Sequence, residues 1–518
     1  MHLTQSLHIA MQMTPERPAT IFRGRCRSYR ESGERIARLA AGLCYLGMRA
    51  GDRVAMLALN SDRYQEYLYA CWWAGAVVNP VNIRWSAAEI VYSLDDCDTS
   101  ILIVDDHHRP LVGEIFRAAK RKPLLIYADD GPTPSGMHSF EELIARSAPM
   151  DDTWTGGDSL AAIMYTGGTT GRPKGVMLSH GNLWTSMVLR EADLPSVPDM
   201  VGLNVAPMFH IAGLAAACAR VVAGSSNVYI PGFEPVELME TVQRERVNDI
   251  LLVPVMLQAV LFHPRFAEFD LASLERIVYG AAPISTAVLE KAMQLLPQAG
   301  FAHAYGLTEN SPVIAVNHPH NHGPEARASG LSRSVGRPII GQWVRVVDEQ
   351  DNEVPRNTVG EIVVQGPTVM LGYWNKPAET AKALKGGWLY TGDAAYMDEA
   401  GYLFIVDRVK DMIISGGENV YSAEVENVLA QHPAVALCAV IGIPHDTWGE
   451  AVHAIVTLKP GASADEEDLR AHCRAHIAGY KCPKSVEFRE AMPLSGAGKI
   501  LKRDLREPYW RGQQRAVN

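Results

Sequence analysis

The sequence predicts an α/β protein: a large N-terminal domain of βαβ-type sheets with a small β-rich subdomain, followed by a small α+β domain at the C-terminal end. Three observations predict it. From about residue 53 to 305, short β-rich runs alternate with helix-length segments, the rhythm of βαβ units and largely parallel sheets. Beyond residue 340, strands come closer together and are separated by Gly-rich turns, which suits a more antiparallel subdomain. After Asp407-Arg408-Val409-Lys410 the chain starts afresh, with about a hundred residues left for a small lid.

The elements follow in order. The runs RVAMLAL, SILIVD, PLLIYA, AAIMYT, VMLS, NVYI, DILLVP and ERIVYG are rich in branched aliphatic residues and have strand length. The stretch Tyr67 to Val78 is the longest uninterrupted apolar run; it is too short to span a bilayer and is expected to form a buried helix. VRVVDEQDNEV, GEIVVQG and GYLFIVDR are the closely spaced strands of the subdomain. SAEVENVLAQ and ADEEDLRAHCRAHI read as helices of the last unit, and ALCAVIGI and AVHAIVTL as its strands.

Bulk properties narrow the function. The 518 residues are about three domains' worth of chain, and 47% hydrophobic with 20% charged residues is ordinary for a globular enzyme. A net charge of −10 with no basic stripe argues against a nucleic-acid binder, so any nucleotide site must be local. Eight cysteines without a CxxC pair indicate neither a disulfide framework nor a zinc knuckle, and suit a reducing cytoplasm. The N-terminus lacks a basic region followed by a long apolar run, and so does not read as a signal peptide.

Residues 165–175, YTGGTTGRPKG, lie between AAIMY and VMLS. Gly167, Gly168 and Gly171 remove Cβ atoms that would hold a polyphosphate off the backbone, Thr166, Thr169 and Thr170 offer hydroxyls, and Lys174 offers a charge. Walker A needs Gly-Lys-Ser/Thr, whereas Pro173 precedes this Lys and Gly175 follows it; GxGxxG spacing is also absent. The run resembles the phosphate loop of the adenylate-forming superfamily, which includes acyl-CoA synthetases, luciferases and peptide-synthetase adenylation domains. Gly168 stands where many relatives carry Ser.

The resemblance extends from GDRVAMLALNS near residue 51 to GKILKR near 499, with the motifs in order. It implies roles for each. In Tyr305-Gly306-Leu307-Thr308-Glu309, Thr308 would contact phosphate and Glu309 would ligate Mg²⁺, a hard ion suited to carboxylate oxygen. Asp393, in YTGD, would hold the ribose hydroxyls, Gly280, Ala281 and Ala282 would border adenine, and Tyr305 would be a further cofactor-binding residue. Arg408 matches the nucleotide-contacting arginine, Lys410 the hinge and Lys499 the adenylation lysine. The resemblance thus divides the chain into an AMP- and acyl-binding domain over 1–409 and a mobile lid over 410–518.

For coenzyme A, the resemblance implies contacts from Arg84, Tyr480 and Lys484, and a tunnel past Gly416 and Gly417. Cys482 stands where some relatives have Arg. His210, in APMFHIAG, matches a gate beside the acyl pocket, whose wall would include Val255, Met256, Gly306, Pro312 and Val313. Apolar and small wall residues suit a hydrophobic acid. The function implied is an ATP-dependent, AMP-forming acyl-CoA synthetase taking a medium- or long-chain fatty acid. A hydroxycinnamate or benzoate CoA ligase, and an adenylating enzyme with a luciferase-like or carrier-loading second step, are the alternatives. Expected partners are the acid, ATP and CoA, with no nucleic acid and no transmembrane segment; a homo-oligomer is left open.

Two signals are discounted. Gly156-Gly157-Asp158-Ser159-Leu160 mimics a phosphopantetheine attachment site but lacks room for a carrier bundle before the phosphate loop, and HPHNH at 318–322 reads as a solvated loop rather than a metal cluster. GxSxG and HExxH motifs are absent, which weighs against hydrolases and zinc proteases.

Overall fold

A computed structural model describes residues 1–166, 173–196, 199–282, 284, 286–408, 411–416, 418–445, 447–495 and 499–511. Its described residues form four sheets. In the nine-stranded sheet, parallel strands Pro18–Phe22, Ser226–Tyr229, Val201–Asn204, Asp249–Leu252, Arg276–Gly280 and Gly300–Gly306 lie side by side in that order. Antiparallel strands close both edges. The eight-stranded sheet is parallel through Arg53–Leu57, Val77–Pro80, Thr99–Val104 and Leu124–Tyr127, and becomes antiparallel where Leu160–Thr166 turns back as Lys174–Ser179. All eight runs expected to be strands are strands.

Helices fill the space between these two sheets. Asp62–Trp73 is buried along its whole length and touches strands of both. The apolar run Tyr67 to Val78 therefore divides: its first half ends this buried helix and its last residues open strand Val77–Pro80. Carboxylates in such a place need cations, because an unpaired buried charge is expensive. Arg25 and Arg27 reach Asp62 at 2.7 and 2.5 Å, and Arg35 reaches Glu66 at 2.6 Å. A second buried cluster pins the larger sheet: Asp249 accepts from Arg220 at 2.7 Å and Arg276 at 2.6 Å.

The third sheet is antiparallel, as its sequence suggested: Trp343–Val347, Gly360–Gln365, Trp388–Met397 and Leu403–Arg408. The fourth belongs to the last hundred residues, with the long hairpin Val435–His445 and Gly449–Leu458 backed by helices Ser422–Leu429 and Glu466–His476. Asp407, 5% exposed at the end of the third sheet, joins the two parts: its Oδ2 accepts from Ser422 N at 2.5 Å and Ser422 Oγ at 2.6 Å. Lys502 donates to the same Ser422 Oγ and pairs with Glu426 at 2.7 Å. Among the described residues, no helix is long and apolar enough to cross a membrane.

The HPHNH segment corrects the solvated-loop expectation. His322 is 4% exposed with Nε2 2.8 Å from Tyr279 Oη, and His318 pairs with Asp193 at 3.2 Å. Burial holds the His322 imidazole below its usual pKa, so it sits there neutral. Among the described residues, no group of three or more His, Cys, Asp or Glu side chains could hold a metal ion.

Candidate active site

Parallel strands deliver the segments that follow them to one edge, and ligands of open α/β sheets bind at such carboxyl ends. Four neighbouring strands do this here. Val201–Asn204 leads to His210, Asp249–Leu252 to Val255 and Met256, Arg276–Gly280 to Ala281 and Ala282, and Gly300–Gly306 to Thr308 and Glu309. The sequence-predicted adenine, metal, gate and wall residues thus share one edge of the nine-stranded sheet.

Backbone proximity explains the small residues. A Cβ on Gly280 would lie 2.1 Å from Ala304 O, and one on Gly306 would lie 1.7 Å from Pro312 O, so neither strand end admits a side chain. Gly306 pairs with Val313 across the hairpin, and Leu307 N donates to Pro312 O at 3.0 Å. Three expected wall residues, Gly306, Pro312 and Val313, therefore form one turn. Val255 and Met256 lie on helix Pro254–Leu261; Met256 is 7% exposed and packs into the core. His210 precedes helix Ile211–Val222, its ring against Phe209 at 4.4 Å between centroids.

The nucleotide candidates meet at Asp393. Its Oδ2 accepts from Tyr305 Oη at 2.7 Å and its Oδ1 from Arg408 Nε at 2.7 Å. Burial and this carboxylate hold the Tyr305 phenol well above its usual pKa, so it remains a donor. Asp393 and Arg408 face each other across paired strands, and Glu361 fixes the turn between Thr391 and Asp393 by accepting from Gly392 N at 2.8 Å. Burial raises the Glu361 carboxyl.

The candidate phosphate loop joins antiparallel strands, with Thr166 opposite Lys174. Gly167, Gly168, Thr169, Thr170 and Gly171 lie outside the described residues, as do Lys410 and Gly417. Lys174 Nζ is 3.4 Å from Glu379 Oε2 and 4.5 Å from the Tyr373 ring centroid. Tyr373 Oη donates to Glu309 Oε1 at 2.9 Å. One carboxylate is a sufficient protein contribution for Mg²⁺, which takes its other ligands from phosphates and water. The Glu309 side chain therefore fits that ion.

Lys499 ends a short hairpin: Ser495 N donates to Lys499 O at 2.7 Å, and Lys499 N donates to Ser495 Oγ at 3.0 Å. Arg84, expected at coenzyme A, donates from Nη1 to Ser495 O at 3.0 Å, which brings the lysine hairpin against the large domain. Gly416, at φ +62°, turns between strands Ile413–Ser415 and Glu418–Val420, and its N donates to Trp448 O at 2.9 Å. Lys484 Nζ lies 5.1 Å from the Trp448 ring, while Tyr480 is 43% exposed. Cys482 is a core residue at 4% exposure, so it presents nothing where some relatives carry Arg.

A family model described as AMP-binding enzyme matches residues 7–374, and one described as AMP-binding enzyme C-terminal domain matches 424–499. The chain belongs to the adenylate-forming superfamily. Within this synthetase family it is 41% identical to a feruloyl-CoA synthase of Amycolatopsis sp over 96% of its own length and 97% of that protein's. It is 36% identical to the fatty acid–[acyl-carrier-protein] ligase ScoC of Streptomyces coeruleorubidus, over 100% of this chain and 98% of that one. The crystal structure of ATP-bound MatB from Rhodopseudomonas palustris superposes with a TM-score of 0.89 at 31% identity, covering 98% of this chain and 99% of that chain.

Sequence reasoning missed three residues of this synthetase's candidate site. Tyr373 and Glu361 were visible only as parts of strands, GYWN and GEIVVQG, and their partners lie far off in sequence. Trp448 carried a signal that could have been read: a Trp followed by Gly beside two strand-like runs, here 38% exposed next to Gly416.

Proposed function

We propose that this protein is an ATP-dependent acyl-CoA synthetase acting on a hydrophobic carboxylic acid. The observation that carries the reading is the union of Tyr305, Asp393 and Arg408 in one hydrogen-bonded group, at the sheet edge that also presents Glu309. In the first step an acid carboxylate oxygen bonds to the α-phosphorus of ATP and the bond to pyrophosphate breaks. Asp393 would accept the ribose hydroxyls, Arg408 would lie along the nucleotide, and Lys499 would meet the negative charge shared by the acid and α-phosphate. Thr166, Thr308 and Lys174 would hold the triphosphate. Glu309 would hold Mg²⁺, which supplies neutralisation of phosphate charge when bound.

In the second step the CoA thiol sulfur bonds to the acyl carbonyl carbon, AMP leaves with the bonding electrons, and the thiol proton is released. Residues 1–409 and 410–518 would act as two bodies pivoting at Lys410, exchanging the Lys499 hairpin for the Gly416 turn. Tyr480 and Lys484 would then meet the CoA nucleotide, and His210 would gate the acyl site.

A medium- or long-chain fatty acid is the first reading of the acid. The feruloyl-CoA synthase relative favours a second, a hydroxycinnamate-type acid, and the relative that loads a carrier protein keeps a non-CoA acceptor in view. Pyrophosphate release should be measured with a panel of fatty and aromatic acids, with and without CoA. Release with a hydrophobic acid and CoA-dependent thioester formation is the expected result; no release with any acid would sink the proposal.

A further inference from the structure

Tyr373 occupies a junction that neither the motifs nor the reaction assigns. Its two-residue strand pairs with the strand leaving the phosphate loop, with Tyr373 opposite Val176, and Trp374 N donates to Gly175 O at 2.8 Å. The phenol is anchored, since the residue is only 7% exposed. Its hydroxyl donates to Glu309 Oε1 at 2.9 Å, and its ring lies 4.5 Å from Lys174 Nζ. Asp96 steadies the same strand from behind: its backbone oxygen accepts from Trp374 Nε1 at 2.9 Å and Asn375 Nδ2 at 3.2 Å. The Asp96 carboxylate also accepts from Tyr165 Oη at 2.7 Å, just before the loop begins. Both ends of the phosphate loop are therefore tied to the segment that carries Tyr373.

We propose that Tyr373 is a positioning residue that sets the Glu309 carboxylate and the Lys174 ammonium at a fixed separation, so that divalent cation and triphosphate are received together. The inference rests on the reading of Glu309 as the cation ligand and Lys174 as a triphosphate contact. The terminal torsion of a glutamate is broad, so a free carboxylate samples many orientations. A hydroxyl bound to Oε1 fixes that torsion and aims Oε2. The ring face attracts the lysine ammonium independently of the hydroxyl. Glu379 holds Lys174 from the other side, at 3.4 Å, and is the partner the ammonium exchanges for phosphate.

The two parts of the side chain can be separated. Tyr373→Phe removes the hydroxyl and keeps the ring; Tyr373→Leu removes both. Binding of Mn²⁺ as the probe ion, with ATP present, is read by electron paramagnetic resonance, beside melting temperature and the KM for ATP. Tyr373→Phe should weaken Mn²⁺ binding about tenfold, the worth of one hydrogen bond to a charged group, with little change in melting temperature. Tyr373→Leu should in addition raise the KM for ATP. In a Glu309→Gln background, Tyr373→Phe should add almost nothing, because the two residues act through one bond.

Unchanged Mn²⁺ binding in Tyr373→Phe, while Glu309→Gln weakens it, overturns the positioning role alone. Equal weakening by Tyr373→Phe in both backgrounds also overturns it. If Glu309→Gln leaves Mn²⁺ binding at the wild-type level, the reading of Glu309 fails and this inference falls with it.

Discussion

Replacing Arg84 by Ala asks which half-reaction this guanidinium serves. Family resemblance places it at coenzyme A, whereas its Nη1 donates at 3.0 Å to Ser495 O, in the hairpin that ends with Lys499. The contact is exposed, so the charge-assisted bond is discounted to about 1 kcal/mol, the upper range for solvent-screened pairs. That energy changes the equilibrium constant for docking the hairpin about fivefold. Arg84→Ala should therefore slow acid-dependent ATP–pyrophosphate exchange, measured without CoA, by up to about fivefold. The KM for CoA, measured with a supplied acyl-adenylate, should hardly move. Unchanged exchange together with a raised KM for CoA would refute the reasoning and return Arg84 to the thioester step.

Lys499→Ala should nearly abolish the same exchange while thioesterification of a supplied acyl-adenylate persists; equal loss of both steps in single-turnover assays counts against its assigned role. Asp249→Asn should destabilise the large domain by about 3–5 kcal/mol, because Arg220 and Arg276 would be left buried without their anion. Burial pushes the Asp249 carboxyl up, but Arg220, Arg276 and Arg190 outweigh it and hold it well below the usual range. A depressed folded pKa gives stability that is complete above the unfolded value of about 4 and lost as pH falls toward the folded one. Denaturant midpoints should therefore fall below about pH 4 in the wild type and fall less steeply in the variant.

Much of the fold was legible because each strand advertises itself locally. The exceptions are instructive. AAIMYT and VMLS fit the βαβ rhythm yet pair antiparallel, since the connection over 167–173 is too short for a crossover. Pro18–Phe22, Val77–Pro80 and Val201–Asn204 went unread: PATIF, VVNP and VGLN are short and carry Pro, Asn or Gly, and only their neighbours in the sheets make them strands. Glu309, Asp393 and Arg408 stood out through motif order. Arg84 reached Ser495 across 411 positions, a relation no local pattern encodes. His322 looked solvated in HPHNH because nothing in the sequence brings it against Tyr279, 43 positions earlier on the strand ERIVYG.

The contact between Asp407 and Ser422 gives the proposed pivot a resting position. Asp407 precedes Lys410 and Ser422 follows it, so a swing that separates them strips a buried carboxylate of two donors at once. Lys502, bonded to the same serine hydroxyl, lies on the 410–518 side and would leave with it. If residues 410–518 pivot as proposed, the segment would behave as a latched door rather than a loose flap: its motion would begin by breaking these bonds together, and the latched arrangement is the one in which Arg84 meets the Lys499 hairpin.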